Sequence, residues 1–208
     1  MRKPVKHPAQ RKIAFFVDGD KEKLLVEALA RKVIERHCPT REPILATIRL
    51  AGTPREGLYS LVEVMLTKDY QRFFILFNTG STSRRRISLM AGEIHEPLVR
   101  VRLEDKVSLI PLVPSIETWV LADEEALARA AGKRWTGEVP QERSRPEDIL
   151  RELLGGWGPR EQKRVARYLD PERIRARDKS FDAFARALQL ALGARASPSS
   201  EAQEPAFT

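Results

Sequence analysis

Short runs of consecutive apolar residues alternate, along the first half of the chain, with longer stretches in which apolar side chains return every three or four positions. Residues 13–17, Ile-Ala-Phe-Phe-Val, form an unbroken run of the kind expected for a strand buried on both faces. The run ends at Asp18-Gly19-Asp20, after which Leu24, Leu25, Ala28, Leu29, Val33 and Ile34 recur at helical spacing. A second run over 44–50 precedes a helical pattern over 58–66, and a third, Phe-Phe-Ile-Leu-Phe, fills 73–77. The order strand, helix, strand, helix, strand predicts parallel strands joined by right-handed crossovers.

After Phe77 comes Asn78-Thr79-Gly80-Ser81-Thr82-Ser83, a turn rich in helix-capping residues, and a helix is expected over 84–98. Residues 107–113 form a fourth apolar run and 117–131 read as one further helix. Between 132 and 146 the chain turns to Gly, Pro, Arg and Glu without periodicity, as a loop does. Three short helices are expected over 147–154, 161–169 and 181–192, either as a small bundle or as cover for one edge of the sheet. The predicted organisation is a flexible basic arm (1–12), an α/β domain (13–131), a loop (132–146), a helical extension (147–192) and a disordered tail (193–208). The fold class is α/β, with a mainly parallel four-stranded sheet flanked by helices.

A chain of 208 residues accommodates one good-sized core, or one core with a small helical appendage. With 42% hydrophobic and 32% charged residues most of it is expected to fold. Lys and Arg number 37 against 29 acids, a net charge of +8 that favours polyanionic partners such as nucleic acid. Solvated Arg-rich surfaces explain the same surplus. Cys38 is the single cysteine, so neither an internal disulfide nor a zinc cluster is expected and a reducing cytoplasm is the default. No apolar run reaches the ~18 residues of a membrane span.

Ligands of open parallel sheets bind beyond the carboxyl ends of the strands. Asp18 directly follows the first strand, Glu22 lies one helical turn on, and Glu117 follows the fourth strand. Carboxylates gathered in one crevice call for a hard cation, and Mg²⁺ or Mn²⁺ suits an oxygen-rich, hydrated site for phosphodiester cleavage. The competing reading is that Asp18 and Asp20 cap the following helix.

Phe15-Phe16-Val17-Asp18-Gly19-Asp20-Lys21-Glu22, followed by an amphipathic helix, resembles the opening motif of a TOPRIM domain. Pro114-Ser115-Ile116-Glu117-Thr118-Trp119-Val120-Leu121-Ala122-Asp123 resembles the segment after the last core strand in OLD-family nucleases and the small RloB-like proteins related to them. Lys179-Ser180-Phe181-Asp182-Ala183-Phe184 is similar to their C-terminal stretch. Together the matches span residues 13–184, with many unmatched positions between. The resemblance implies a nuclease-like protein, with Asp18, Glu22 and Glu117 as metal-site acids and Lys179 stabilising charge on the phosphate. It also implies phage defence beside a separate ATPase partner, since no nucleotide-binding motif occurs here. TOPRIM enzymes carry Asp-x-Asp after the third strand, where this chain has Asn78-Thr79-Gly80. Asn78 would lend one neutral oxygen to the metal and Gly80 none, and Asp18 stands where the family usually has Glu; these losses argue against a two-ion site.

Ser81, Thr82, Arg84, Arg85 and Arg86 place hydroxyls and guanidinium groups at an expected helix start, an arrangement suited to phosphate or equally to a capped, solvated helix. Arg160, Lys163, Arg164 and Arg167, then Arg173, Arg175, Arg177 and Lys179, form a basic stripe for a nucleic-acid backbone or for solvent. His7, His37 and His95 lack metal-ligand spacing, and Trp135 and Trp157 suit loop anchoring as well as base stacking. The sequence thus predicts Mg²⁺-assisted phosphodiester hydrolysis. Its alternatives are a non-catalytic nucleic-acid or phosphate-binding module and a subunit that docks a partner protein.

Overall fold

In a computed structural model, which describes residues 10–39, 42–50, 55–132 and 145–193, the four apolar runs become strands β1 (Lys12–Val17), β2 (Ile44–Arg49), β3 (Arg72–Asn78) and β4 (Val107–Leu112). They form one all-parallel sheet in the order β2-β1-β3-β4. The two central strands are those with the most continuous apolar sequence, because side chains on both of their faces need cover. Residues 1–9, 133–144 and 194–208, and with them most of the predicted arm, loop and tail, lie outside the described residues.

Helix α1 (Asp20–His37) leads from β1 to β2, α2 (Arg55–Thr67) from β2 to β3, and α3 (Arg84–Arg100) towards β4. The pleat sorts the strand residues between two layers. Phe15, Phe74 and Leu76 pack with Leu25, Leu29 and Val33 of α1, while Phe16, Phe73 and Ile75 pack with Leu58 and Val62 of α2 and Ile94 and Leu98 of α3.

The segment expected as one helix over 117–131 is two, α4 (Glu117–Leu121) and α5 (Glu124–Ala131). Asp123 divides them. Its carboxylate accepts from the Ala126 N–H at 3.1 Å and so caps α5, an end that hydrophobic spacing alone does not announce. Among the described residues four helices follow: α6 (Pro146–Leu154), α7 (Pro159–Ala166), α8 (Pro171–Arg177) and α9 (Lys179–Ala191). Helix α8 was not among the predicted elements, although its signal is present: Asp170 accepts from Glu172 N–H at 2.8 Å and Pro171 opens the first turn.

These C-terminal helices lie beside α1 on one face of the sheet. Their apolar side chains, among them Leu150, Val165, Ile174, Phe181, Phe184 and Leu188, belong to the same buried cluster as Phe15 and Phe74. Phe184 meets Phe15 and Phe74, each with ring centroids 6.0 Å apart. Among the described residues no helix is long and apolar enough to cross a membrane.

Candidate functional site at the carboxyl edge of the sheet

The chain leaves β1 for β2 on one side and returns past it to β3 on the other, so the connections diverge between the carboxyl ends of β1 and β3. Such a switch point opens a crevice between loops. Asp18 stands at the end of one of these strands and Asn78 at the end of the other.

Asn78 ties the crevice together. Its backbone N–H donates to Asp18 Oδ2 at 3.0 Å, and its side-chain nitrogen donates to the same oxygen at 3.1 Å and to Glu22 Oε1 at 2.9 Å. Its side-chain oxygen accepts from Ile116 N–H at 3.3 Å, immediately before Glu117. Two carboxylates from α1 and its approach therefore converge on one nitrogen, while the loop after β4 is held by the opposite end of the amide. In this orientation the Asn78 oxygen accepts from Ile116, and the group facing the acids is a donor.

Gly19 leaves the space that the Glu22 carboxylate occupies. A Cβ there would lie 2.9 Å from Glu22 Oε2, so the missing side chain makes room for the buried carboxylate. The capping alternative for Asp18 and Asp20 is not what forms. Gly19 is the N-cap residue and no side chain caps α1; Asp18 faces Asn78, and Asp20 pairs with Arg49 at 2.7 Å.

Glu117 is 1% exposed and ionised against its surroundings. Burial pushes its carboxyl up, but the Lys21 ammonium and the Ser115 hydroxyl outweigh that and hold it below the usual glutamate range. Lys21 forms a close ion pair with Glu117 Oε1, and the indole N–H of Trp157 donates to the same atom at 3.1 Å. Glu117 Oε2 is buried and has no hydrogen-bond partner. Lys21 also reaches Glu147 Oε2 of α6 at 3.1 Å. Its own desolvation is outweighed by Glu117, Glu147 and Glu22, which raise its pKa.

The edge thus brings Asp18 and Glu22 onto Asn78, whose amide also fastens the loop that leads into Glu117. Lys179 opens α9 with an exposed side chain, and the cation paired with Glu117 is Lys21. Lys21, Trp157 and Glu147 were not among the predicted site residues. Lys21 sits within the opening motif, one residue before Glu22, and the charge clustering there was its signal. Nothing in the sequence announces Trp157 or Glu147, which reach the site from 40 and 126 residues away in the chain.

The loop after β3 is fastened to the same edge. Buried Thr79 donates its hydroxyl to Ser81 O at 2.7 Å and lies 3.1 Å from Leu112 O, while Gly80 N–H donates to Pro114 O at 2.9 Å. Ser81 Oγ accepts from Ser83 N–H at 3.1 Å, and α3 then begins with Arg84, Arg85 and Arg86, all exposed and without an ion pair among the described residues. Ser81 is half-buried and Thr82 exposed. The three arginines in the second half of the basic stripe are otherwise engaged. Arg173 pairs with Asp123, Arg175 with Asp182 and Arg177 with Glu124, at 2.7, 3.0 and 2.8 Å. His37 pairs with Glu172 at 2.8 Å, far from the acids in the fold; His7 and Trp135 lie outside the described residues.

Do these residues suit a divalent cation? Among the described residues no three acidic, His or Cys side chains gather as a protein cage for a metal. Mg²⁺ needs no such cage, since it keeps several waters and is commonly held by one or two carboxylates plus substrate oxygens. Asp18 and Glu22 converge on the Asn78 amide nitrogen, and Glu117 Oε2 is a buried carboxylate oxygen with no hydrogen-bond partner. Asp18 and Glu22 are thus two carboxylates of the kind that a hydrated Mg²⁺ or Mn²⁺ uses.

No protein-family model and no curated protein matches the chain. Among solved structures, it is similar to the C-terminal region of the Xanthomonas campestris pv. campestris OLD protein. The form phased with iodine aligns at 17% identity and a TM-score of 0.44, covering 89% of this chain and 98% of that one. The form phased with platinum aligns at 16% identity and a TM-score of 0.39, covering 88% and 96%.

Proposed function

We propose that this chain is a TOPRIM-like protein acting on nucleic acid, with Asp18, Glu22 and Glu117 holding one hydrated divalent cation for phosphodiester hydrolysis. The observation that carries this reading is Glu117 Oε2, a buried carboxylate oxygen without a hydrogen-bond partner, on a loop fastened by the same Asn78 amide that holds Asp18 and Glu22. A bound Mg²⁺ or Mn²⁺ would supply an activated water and neutralise charge on the phosphate.

The chain's own groups have distinct tasks. Trp157 and Ser115 fix the Glu117 carboxylate, and Asn78 holds Asp18 and Glu22 at one point while fastening the loop that carries Glu117. Exposed Asp18 is the acid that a water or phosphate at the mouth reaches first. Arg84, Arg85 and Arg86, unpaired at the neighbouring loop, supply bidentate donors for the backbone phosphates of a nucleic-acid substrate.

A second reading is favoured by the donors already in place. Lys21 and the Asn78 amide neutralise the acids from within, as a non-catalytic phosphate-binding module requires. Incubating wild type and Glu117→Gln with single- and double-stranded DNA and RNA, with Mg²⁺ or Mn²⁺, separates the two. Cleavage by the wild type alone is expected. Salt-dependent binding without cleavage, lost when Arg84 to Arg86 are changed to Ala, would establish the module instead.

A further inference from the structure

Lys21 stands between two carboxylates in unlike surroundings. Its ammonium meets buried Glu117 on one side and, at 3.1 Å, Oε2 of Glu147 on the other, and the Glu147 side chain is 44% exposed. Arg151, one turn along α6, holds the other oxygen of Glu147 at 2.8 Å, which leaves Oε2 turned to Lys21. The lysine stem is flexible, and its ammonium is a compact charge that is able to keep one carboxylate while leaving another. An ammonium and a divalent cation on the same buried carboxylate repel, in surroundings that screen them poorly.

We infer that Lys21 is a resident counter-ion which a divalent cation must displace from Glu117, and that Glu147 is the acceptor on which the displaced ammonium is retained. This rests on the metal reading above. Lys21 and Glu147 are then positioning residues: they set how strongly the acids hold the ion without holding it themselves. Before the ion arrives, Lys21 keeps a buried carboxylate neutralised; afterwards its charge lies at the rim of the crevice, where the phosphates of a nucleic acid would approach.

The test is direct Mn²⁺ binding by the full chain, with free Mn²⁺ read by electron paramagnetic resonance and folding of every form checked by circular dichroism. Wild type is compared with Lys21→Met, Lys21→Gln, Glu147→Gln and Lys21→Met/Glu147→Gln. The Gln variant keeps a donor for Glu117 and so guards against misfolding of the Met variant. Both Lys21 variants are expected to bind Mn²⁺ about tenfold more tightly than wild type, and Glu147→Gln about threefold more weakly. In the Lys21→Met background Glu147→Gln should change affinity by less than about twofold, since its effect runs through the lysine. Unchanged or weaker binding by both Lys21 variants overturns the displacement. An equal loss from Glu147→Gln in both backgrounds overturns the acceptor role, because a bare surface charge would then explain it. Mn²⁺ binding by none of the five forms sinks the metal reading itself, and the displacement with it.

Discussion

The indole N–H of Trp119 donates to the hydroxyl of Ser180 at 2.7 Å, across 61 residues of sequence. The ring of Trp119 also meets Phe181 edge-on, with centroids 5.0 Å apart, and lies 5.3 Å from Phe184. One contact therefore joins the start of α9 to the segment that carries Glu117. Three residues of that segment reach the C-terminal part of the chain: Glu117 meets Trp157 before α7, Trp119 meets Ser180, and Asp123 meets Arg173. Glu117 is thus held from the C-terminal part of the chain as well as by Lys21 of α1.

Trp119→Ala should destabilise the chain by about 3–5 kcal/mol through the cavity it leaves in a fully buried aromatic cluster. Ser180→Ala should cost about 1–3 kcal/mol, because the indole N–H is then buried without its acceptor. Urea unfolding measures both. A Ser180→Ala chain as stable as wild type would show that this bond contributes nothing net.

Asp123 is fully buried and receives Arg173 through two nitrogens, at 2.7 and 3.1 Å, together with Asp170 N–H at 2.7 Å. Arg173→Met leaves that carboxylate without its cation, and about 3 kcal/mol of stability should be lost, at the low end for a buried pair because the Arg173 side chain is 35% exposed. Combining it with Asp123→Asn should cost less than the two separate losses added together. Melting temperatures of the three variants decide this; strict additivity would mean that the residues act independently.

The Glu117 and Lys21 pair predicts a pH dependence. Since the folded carboxyl lies below the ordinary glutamate value, its contribution is complete above that value, about 4.3, and fades as pH falls through the depressed folded one. Lys21, raised in the fold, contributes fully below about 10.4 and loses its contribution as pH rises through the higher folded value. The stability gap between wild type and Glu117→Gln should therefore be flat from about pH 6 to 9 and narrow on acidification. Urea midpoints taken from pH 3 to 7 provide the check, and a gap that stayed constant throughout would contradict it.

Gly19→Ala isolates Glu22. The backbone there is extended, with φ −151, so alanine is tolerated, but its Cβ would displace the Glu22 carboxylate from the position it shares with Asn78. Stability should change by less than about 1 kcal/mol, since the contact is with the end of a flexible side chain. Mn²⁺ affinity should fall about tenfold, as for a lost carboxylate contact worth ~1.4 kcal/mol. Undiminished Mn²⁺ binding would remove Glu22 from the site.

The strands were legible in the sequence because burial on both faces demands unbroken apolar runs, and the runs at 13–17 and 73–77 lie within the two central strands. The placement of Asp18 and Glu117 beyond the carboxyl ends of β1 and β4 was legible as well, since a parallel sheet sends the residues after each strand to the same edge. Strand order was not, because local periodicity carries no information on which strands become neighbours. The tertiary structure alone put β1 beside β3, turned the Asn78 nitrogen to the acids, and brought Trp157 and Glu147 to the site. Hydrophobic spacing reports how each segment meets the core; the partner of a buried charge depends on which distant segments the closed fold brings within a few ångströms of it.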